Sequence, residues 1–119
     1  MRALGVLVAV AAAVMAVAAA HGSSDEAPRL IDALTAGIPA AELTPEGAAS
    51  VQADAEAAAA RLDGDATLAT ECASTCKAAT GPLERVCVGL IQPPAARSLA
   101  ICYARAAEKV DACLARCPR

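Results

Sequence analysis

The chain has no phenylalanine and no tryptophan, and Tyr103 is its one aromatic residue. This argues against an aromatic-lined ligand pocket and against a surface on which nucleic-acid bases stack. The formal net charge of −3 points away from nucleic acid as well. Histidine occurs once, at His21, close to the start of the chain. With the single histidine in an end segment expected to be flexible, a Ser-His-Asp or Cys-His arrangement is not expected. A zinc site has no histidine to join its cysteines, and the cysteine spacings are not those of fingers or ribbons. A histidine brace for copper at the N-terminus needs a second histidine, which is missing. No glycine-rich turn runs into Lys-Ser, so no phosphate loop is expected. The expectation is a protein that is not an enzyme and needs no metal or cofactor.

What is present is concentrated at the two ends. Arg2 is followed by an apolar run, Ala3 to Val17, broken only by Gly5, and small residues Ala18 and Ala20 close it. This is the pattern of a signal peptide over residues 1–20, with cleavage after Ala20 exposing His21. An uncleaved anchor is the rival, since Ala3 to Ala20 is just long enough to span a bilayer, although half of it is alanine. After the leader the chain is short, and its apolar side chains are mostly alanine. Alanine buries little area, and burial yields only ~25 cal/mol per Å². A core this poor needs staples.

Six cysteines supply them: Cys72, Cys76, Cys87, Cys102, Cys113 and Cys117. An even number behind an export signal reads as a disulfide framework. Their spacing, C-x3-C-x10-C-x14-C-x10-C-x3-C, is a palindrome about the Pro94–Ala95 junction. Fifteen pairings are possible for six cysteines. The nested set, Cys72–Cys117, Cys76–Cys113 and Cys87–Cys102, is the one that matches a simple antiparallel hairpin. At ~100° per residue, Cys102, Cys113 and Cys117 lie within ~60° of one another on a helix from about Ala95 to Arg116. Leu99, Tyr103, Ala106, Val110 and Leu114 fall within the ~120° sector that starts at Cys102 and includes all three cysteines. Cys72 and Cys76 lie on one face of the opposing arm. Gly81-Pro82 is expected to kink or break that arm, which puts the placement of Cys87 most in question. Gln92-Pro93-Pro94 is the expected turn.

The remaining segments divide as a flexible acidic stretch over 21–43, an alanine-rich acidic helix over 44–64, and the hairpin over 65–119. Within the first, Arg29 to Ala36 has room for two helical turns before Gly37 and Pro39. Thr44-Pro45-Glu46 reads as a helix start, with Thr44 as N-cap and Pro45 in the first position. The helix is expected to run to Leu62, with Val51, Ala55, Ala58 and Leu62 on its docking face, and to end near Gly64. Asp65 is the expected cap of the next. The fold class expected is all-α, a hairpin with three nested disulfides and one alanine-rich helix packed on it. A removable pro-segment over 21–64 is the alternative. No dibasic site is present, only the single Arg29 and Arg61, which favours the intact domain.

Charge follows the same division. Residues 21–71 hold ten acidic side chains against Arg29 and Arg61, whereas residues 72–119 hold seven basic against Glu84, Glu108 and Asp111. Arg105, Lys109 and Arg116 fall on one flank of the last helix, beside the cysteine face. They are the candidate binding surface, for an anionic polymer, an acidic protein or a membrane touched only at its surface. The competing expectation is an ordinary solvated flank, or one covered by the acidic helix of the same chain. The oligomeric state stays open, because bare alanine faces can pair between chains as well as within one.

The C-x3-C pairs Cys72/Cys76 and Cys113/Cys117 resemble those of the plant α-hairpinins, two antiparallel helices with nested disulfides. That resemblance implies a defence peptide or protease inhibitor, though no residue here identifies a reactive site. Cys76/Cys87 and Cys102/Cys113 look similar to the twin C-x9-C hairpins of the mitochondrial intermembrane space, with x10 in place of x9. Saposin-like domains also nest three disulfides, over a longer chain. Glu71-Cys72-Ala73-Ser74-Thr75-Cys76 is similar to the helical motifs of cysteine-rich copper-storage proteins. That implies a Cu(I)-binding alternative, which requires all six thiols reduced.

Overall fold

The computed structural model describes residues 25–63 and 69–118, and these form a helical bundle. The leader expected at 1–20, His21, the helix end near Gly64 and the Asp65 cap lie outside the described residues. The elements are α1 (Glu26–Thr35), a 3₁₀ turn (Ala40–Glu42), α2 (Gly47–Ser50), α3 (Gln52–Leu62), α4 (Ala69–Ala78), α5 (Thr80–Leu90) and α6 (Ala96–Ala115). Helices α4 and α5 run one way, α6 returns, and three disulfides join the arms. None of the described helices is long and apolar enough to cross a membrane.

The first departure from expectation is α1. The stretch 21–43 was expected to be flexible with two helical turns from Arg29, yet Glu26–Thr35 is a ten-residue helix. Ala27, Leu30, Ile31 and Leu34 are spaced i, i+3, i+4, i+7, and all four are buried. Glu26 lies in the first turn, where the helix dipole favours a negative charge. The Thr35 hydroxyl donates to the Ile31 carbonyl, and Gly37 ends the run at φ +77°, a conformation glycine adopts without a Cβ clash. Burial of one apolar stripe decides the outcome despite the short length, and Pro28, in the first turn, has no intrahelical N–H bond to lose.

The second departure is in the alanine-rich segment. Thr44 accepts a backbone bond from Gly47 instead of capping with its side chain, and the helix begins at Gly47. It is interrupted at Val51, which takes φ −98°, ψ 5°, and resumes as α3. The interruption coincides with a close approach to α5. A Cβ on Gly47 would meet the Gly89 carbonyl oxygen at 2.7 Å, and one on Gly89 would overlap the Val51 side chain. Two glycines thus let α2 and Val51 sit directly on the hairpin. Val51, Ala55 and Ala58 are buried and Leu62 partly so, on the expected docking face.

The hairpin breaks at Ala79, two residues before the Gly81-Pro82 step. Pro82 falls at the third position of α5, where its missing N–H has no intrahelical partner to lose. Ile91 leaves the helix in extended conformation, and Gln92 to Ala95 close the turn.

One apolar cluster spans both halves: Leu30, Ile31 and Leu34 from α1, Val51, Ala55 and Ala58, and Leu83, Val86, Leu90, Cys87, Cys102, Ala106 and Val110 from the hairpin. A smaller cluster of Cys72, Cys76 and Cys113, bordered by Leu62, Leu114 and Cys117, fills the open end. At the turn end, residues 42–44 lie against 90–92. Thr44 N–H donates to the Leu90 carbonyl (2.8 Å), Gln92 N–H to that of Glu42 (2.9 Å), and the Gln92 side-chain amide to that of Leu43 (3.1 Å). Buried Ser98 completes the clasp by donating to the Glu42 carboxylate (2.9 Å).

Candidate functional site

The structure pairs the six cysteines in the nested order: Cys72–Cys117, Cys76–Cys113 and Cys87–Cys102, with Cα–Cα distances of 5.6, 5.7 and 5.8 Å. These separations are ordinary for a disulfide. Cys87 keeps its place because α5 restarts only one residue after α4 ends, so both arm segments still face α6. Its bridge is fully enclosed, both half-cystines being 0% exposed. The other two bridges stack at the open end. The Cys76 and Cys117 sulfurs are 3.7 Å apart although they belong to different bridges. Those of Cys72, Cys76 and Cys117 all lie within 4.8 Å of one another. The Cys117 sulfur approaches the Cys113 carbonyl at 3.5 Å, and that of Cys113 approaches the Arg61 carbonyl at 3.9 Å. Bridged sulfurs carry no proton, so these are packing contacts rather than S–H hydrogen bonds. For the same reason this group offers no thiolate to a cation while the bridges stand. The crowding comes from two adjacent covalent staples.

The three basic residues picked out by spacing do share one flank of α6, but two are engaged inside the molecule. Arg105 is half-buried and donates through Nη1 to the Leu34 carbonyl of α1 (3.2 Å). Arg116 donates through Nη2 to the Leu62 carbonyl of α3 (2.7 Å). Both acceptors lie in the last turn of their helices, where carbonyls lack an intrahelical partner and the dipole is negative. The positive flank thus serves first to cap the two acidic-half helices. Lys109 is exposed, and no hydrogen bond or ion pair engages it among the described residues. It lines a groove of about 300 Å³ together with Arg29, Arg116, Glu26 and Asp63, floored by Leu30 and Leu62. The charge split is also used at Arg85, whose Nε lies 3.0 Å from Asp54 Oδ1 across the α3–α5 contact. Exposed pairs of this kind contribute about 0–1 kcal/mol.

Tyr103 was expected on the cysteine face of α6 and sits at its margin, 37% exposed. With Val88, which is 59% exposed, it lines a second groove of about 470 Å³ that includes Ser50, Val51, Asp54 and Arg85. The sequence did carry a signal for this: Tyr103 lies ~100° from Cys102, toward the edge of the apolar sector. The capping roles of Arg105 and Arg116 carried no such signal, because they depend on where α1 and α3 end in space. Comparison with protein-family models, curated proteins and solved structures returns no match for this chain.

Proposed function

We propose that this chain is a small, exported, non-catalytic binding protein of the defence type, presenting a disulfide-held helical hairpin to an anionic surface. The observation that carries the reading is the groove in which Lys109 stands beside Arg29 and Arg116, on a scaffold locked by three bridges. Disulfides persist in oxidising compartments, which fits the export expected from residues 1–20. The bridges also support the binding half of the reading, since a rigid surface loses little conformational entropy when a partner docks. Glu26 and Asp63 at the groove edge moderate its charge, so contact is expected to be weak, salt-sensitive and local to Lys109.

The test is titration of the oxidised chain with vesicles containing an anionic lipid, with zwitterionic vesicles, and with a sulfated polysaccharide, each at low and high salt. Binding to one of the anionic ligands that is lost in salt and weakened several-fold by Lys109→Glu is the expected result. No binding to any polyanion at low ionic strength, or binding indifferent to Lys109→Glu, would overturn it. A second reading, a cysteine-based Cu(I) carrier, draws on the three clustered sulfurs. Intact mass of the exported protein before and after reduction separates the two. Three bridges keep the binding reading; six free thiols with copper retained under native conditions replace it.

A further inference from the structure

We propose that the two bridges at the open end of the hairpin form one thiol–disulfide exchange site, entered from solvent at Cys117, and that Cys87–Cys102 stands outside it. The inference is independent of the binding role. It rests on the 3.7 Å between the Cys76 and Cys117 sulfurs and on the order of exposure along the ladder. Cys117 is half-buried, just past the end of α6. Cys72, Cys76 and Cys113 are buried, and Cys87 and Cys102 are sealed within the main core. Cys117 is the most exposed of the six half-cystines, so an incoming thiolate is directed there first, exchange rates depending on access.

The reductant is a dithiol, either a small molecule or the active-site pair of a thiol oxidoreductase. Its thiolate attacks Cys117 Sγ. The Cys72–Cys117 bond breaks, Cys72 leaves as thiolate, and a mixed disulfide forms at Cys117. The second thiol of the reductant attacks its own bridged sulfur, leaving the reductant oxidised and Cys117 as thiolate. Cys117 then attacks Cys76 Sγ. The Cys76–Cys117 bond forms, Cys76–Cys113 breaks, and Cys113 departs with the electron pair and takes up a proton. Two electrons in total enter the chain, and the relay step needs no more. The released Cys113 thiol lies beside the Arg61 carbonyl at the end of α3 and can donate to it there. The result links the redox state of the hairpin to a contact made by the acidic half.

The test uses the native oxidised chain. It is reduced briefly with a dithiol, quenched by alkylation, and the species carrying two alkyl groups is mapped by peptide mass spectrometry. The expected species has Cys72 and Cys113 alkylated, Cys76 linked to Cys117, and Cys87–Cys102 intact. Alkylation of Cys72 and Cys117 with Cys76–Cys113 retained would overturn the exchange, and opening of Cys87–Cys102 first would overturn the order. A second measurement needs no reductant. In Cys72→Ser the free thiol begins on Cys117, and at mildly alkaline pH it is expected to be found on both Cys117 and Cys113. A thiol confined to Cys117 would sink the proposal. Should that variant fail to fold, the reduction series on the native chain decides alone.

Discussion

The two halves of this molecule reach the folded state by different means. Residues 69–118 carry every disulfide, spanning sequence separations of 15, 37 and 45. Residues 25–63 carry none. The acidic half is held by one apolar stripe on α1, the alanine face of α3, two arginines that cap its helices, and the clasp at residues 42–44. The hairpin is constrained chiefly by restricting its unfolded ensemble, whereas the acidic half must win its order from contacts in the folded state. With alanine as the commonest contact residue, that gain is small per residue. The lesson is that the staples set a floor under one half only, and the other half is expected to open first.

The strongest way to break the contrast is to remove the staples. Native disulfides in small domains contribute about 2–5 kcal/mol each, against a total stability of about 5–15 kcal/mol for a domain. Full reduction and alkylation should therefore abolish cooperative helical melting, read by circular dichroism at 37 °C. Retention of a sharp transition would show that packing alone holds the hairpin. Next in size is Leu34→Ala. It removes a fully buried side chain from α1, at a cost of about 2–5 kcal/mol. Amide exchange should accelerate across α1 and α3 while α5 and α6 stay protected; equal acceleration in both halves would mean that they unfold as one. Gly89→Ala puts a methyl into the Val51 side chain and should cost about 1–3 kcal/mol, measured as a shift of the urea midpoint. Arg116→Ala uncaps α3 and should cost about 1 kcal/mol or less, with faster exchange confined to the last turn of that helix. Asp54→Asn should change the stability by less than about 0.5 kcal/mol, because the Arg85 partner is solvent-exposed and the Asp54 carboxylate only partly buried.

Legibility in the sequence follows the same division. The turn at Gln92-Pro93-Pro94 and the extent of α6 were readable from proline and helical periodicity, and of the fifteen possible pairings the nested one was the set that a simple hairpin requires, because the spacing is symmetric about that turn. The break in the first arm was anticipated but placed at Gly81-Pro82 rather than Ala79, since proline is tolerated in the first turn of a helix. The interruption at Val51 was not readable. It answers to Gly89, which lies far along the chain and whose lack of a Cβ matters only once α2 is docked on it. The order in residues 26–35 was underestimated, because a ten-residue amphipathic stretch is marginal alone and becomes a helix only against a core. At the candidate site, spacing placed Arg105, Lys109 and Arg116 on one flank, but only Lys109 stands clear of carbonyl partners.

The outermost bridge has a mechanical consequence. Cys72 and Cys117 are joined by a covalent bond with their Cα atoms 5.6 Å apart, although 45 positions separate them along the chain. Tension applied to the two ends of the molecule would enter at Cys72, cross one disulfide and leave at Cys117. The intervening loop, about 150 Å if drawn out straight, would bear no load. Under tension the acidic half would pay out while the hairpin kept its shape, a slack knot beside a taut line; were the outer bond reduced, the load would pass to the next rung, Cys76–Cys113, with only the short segments between the two bridges let go.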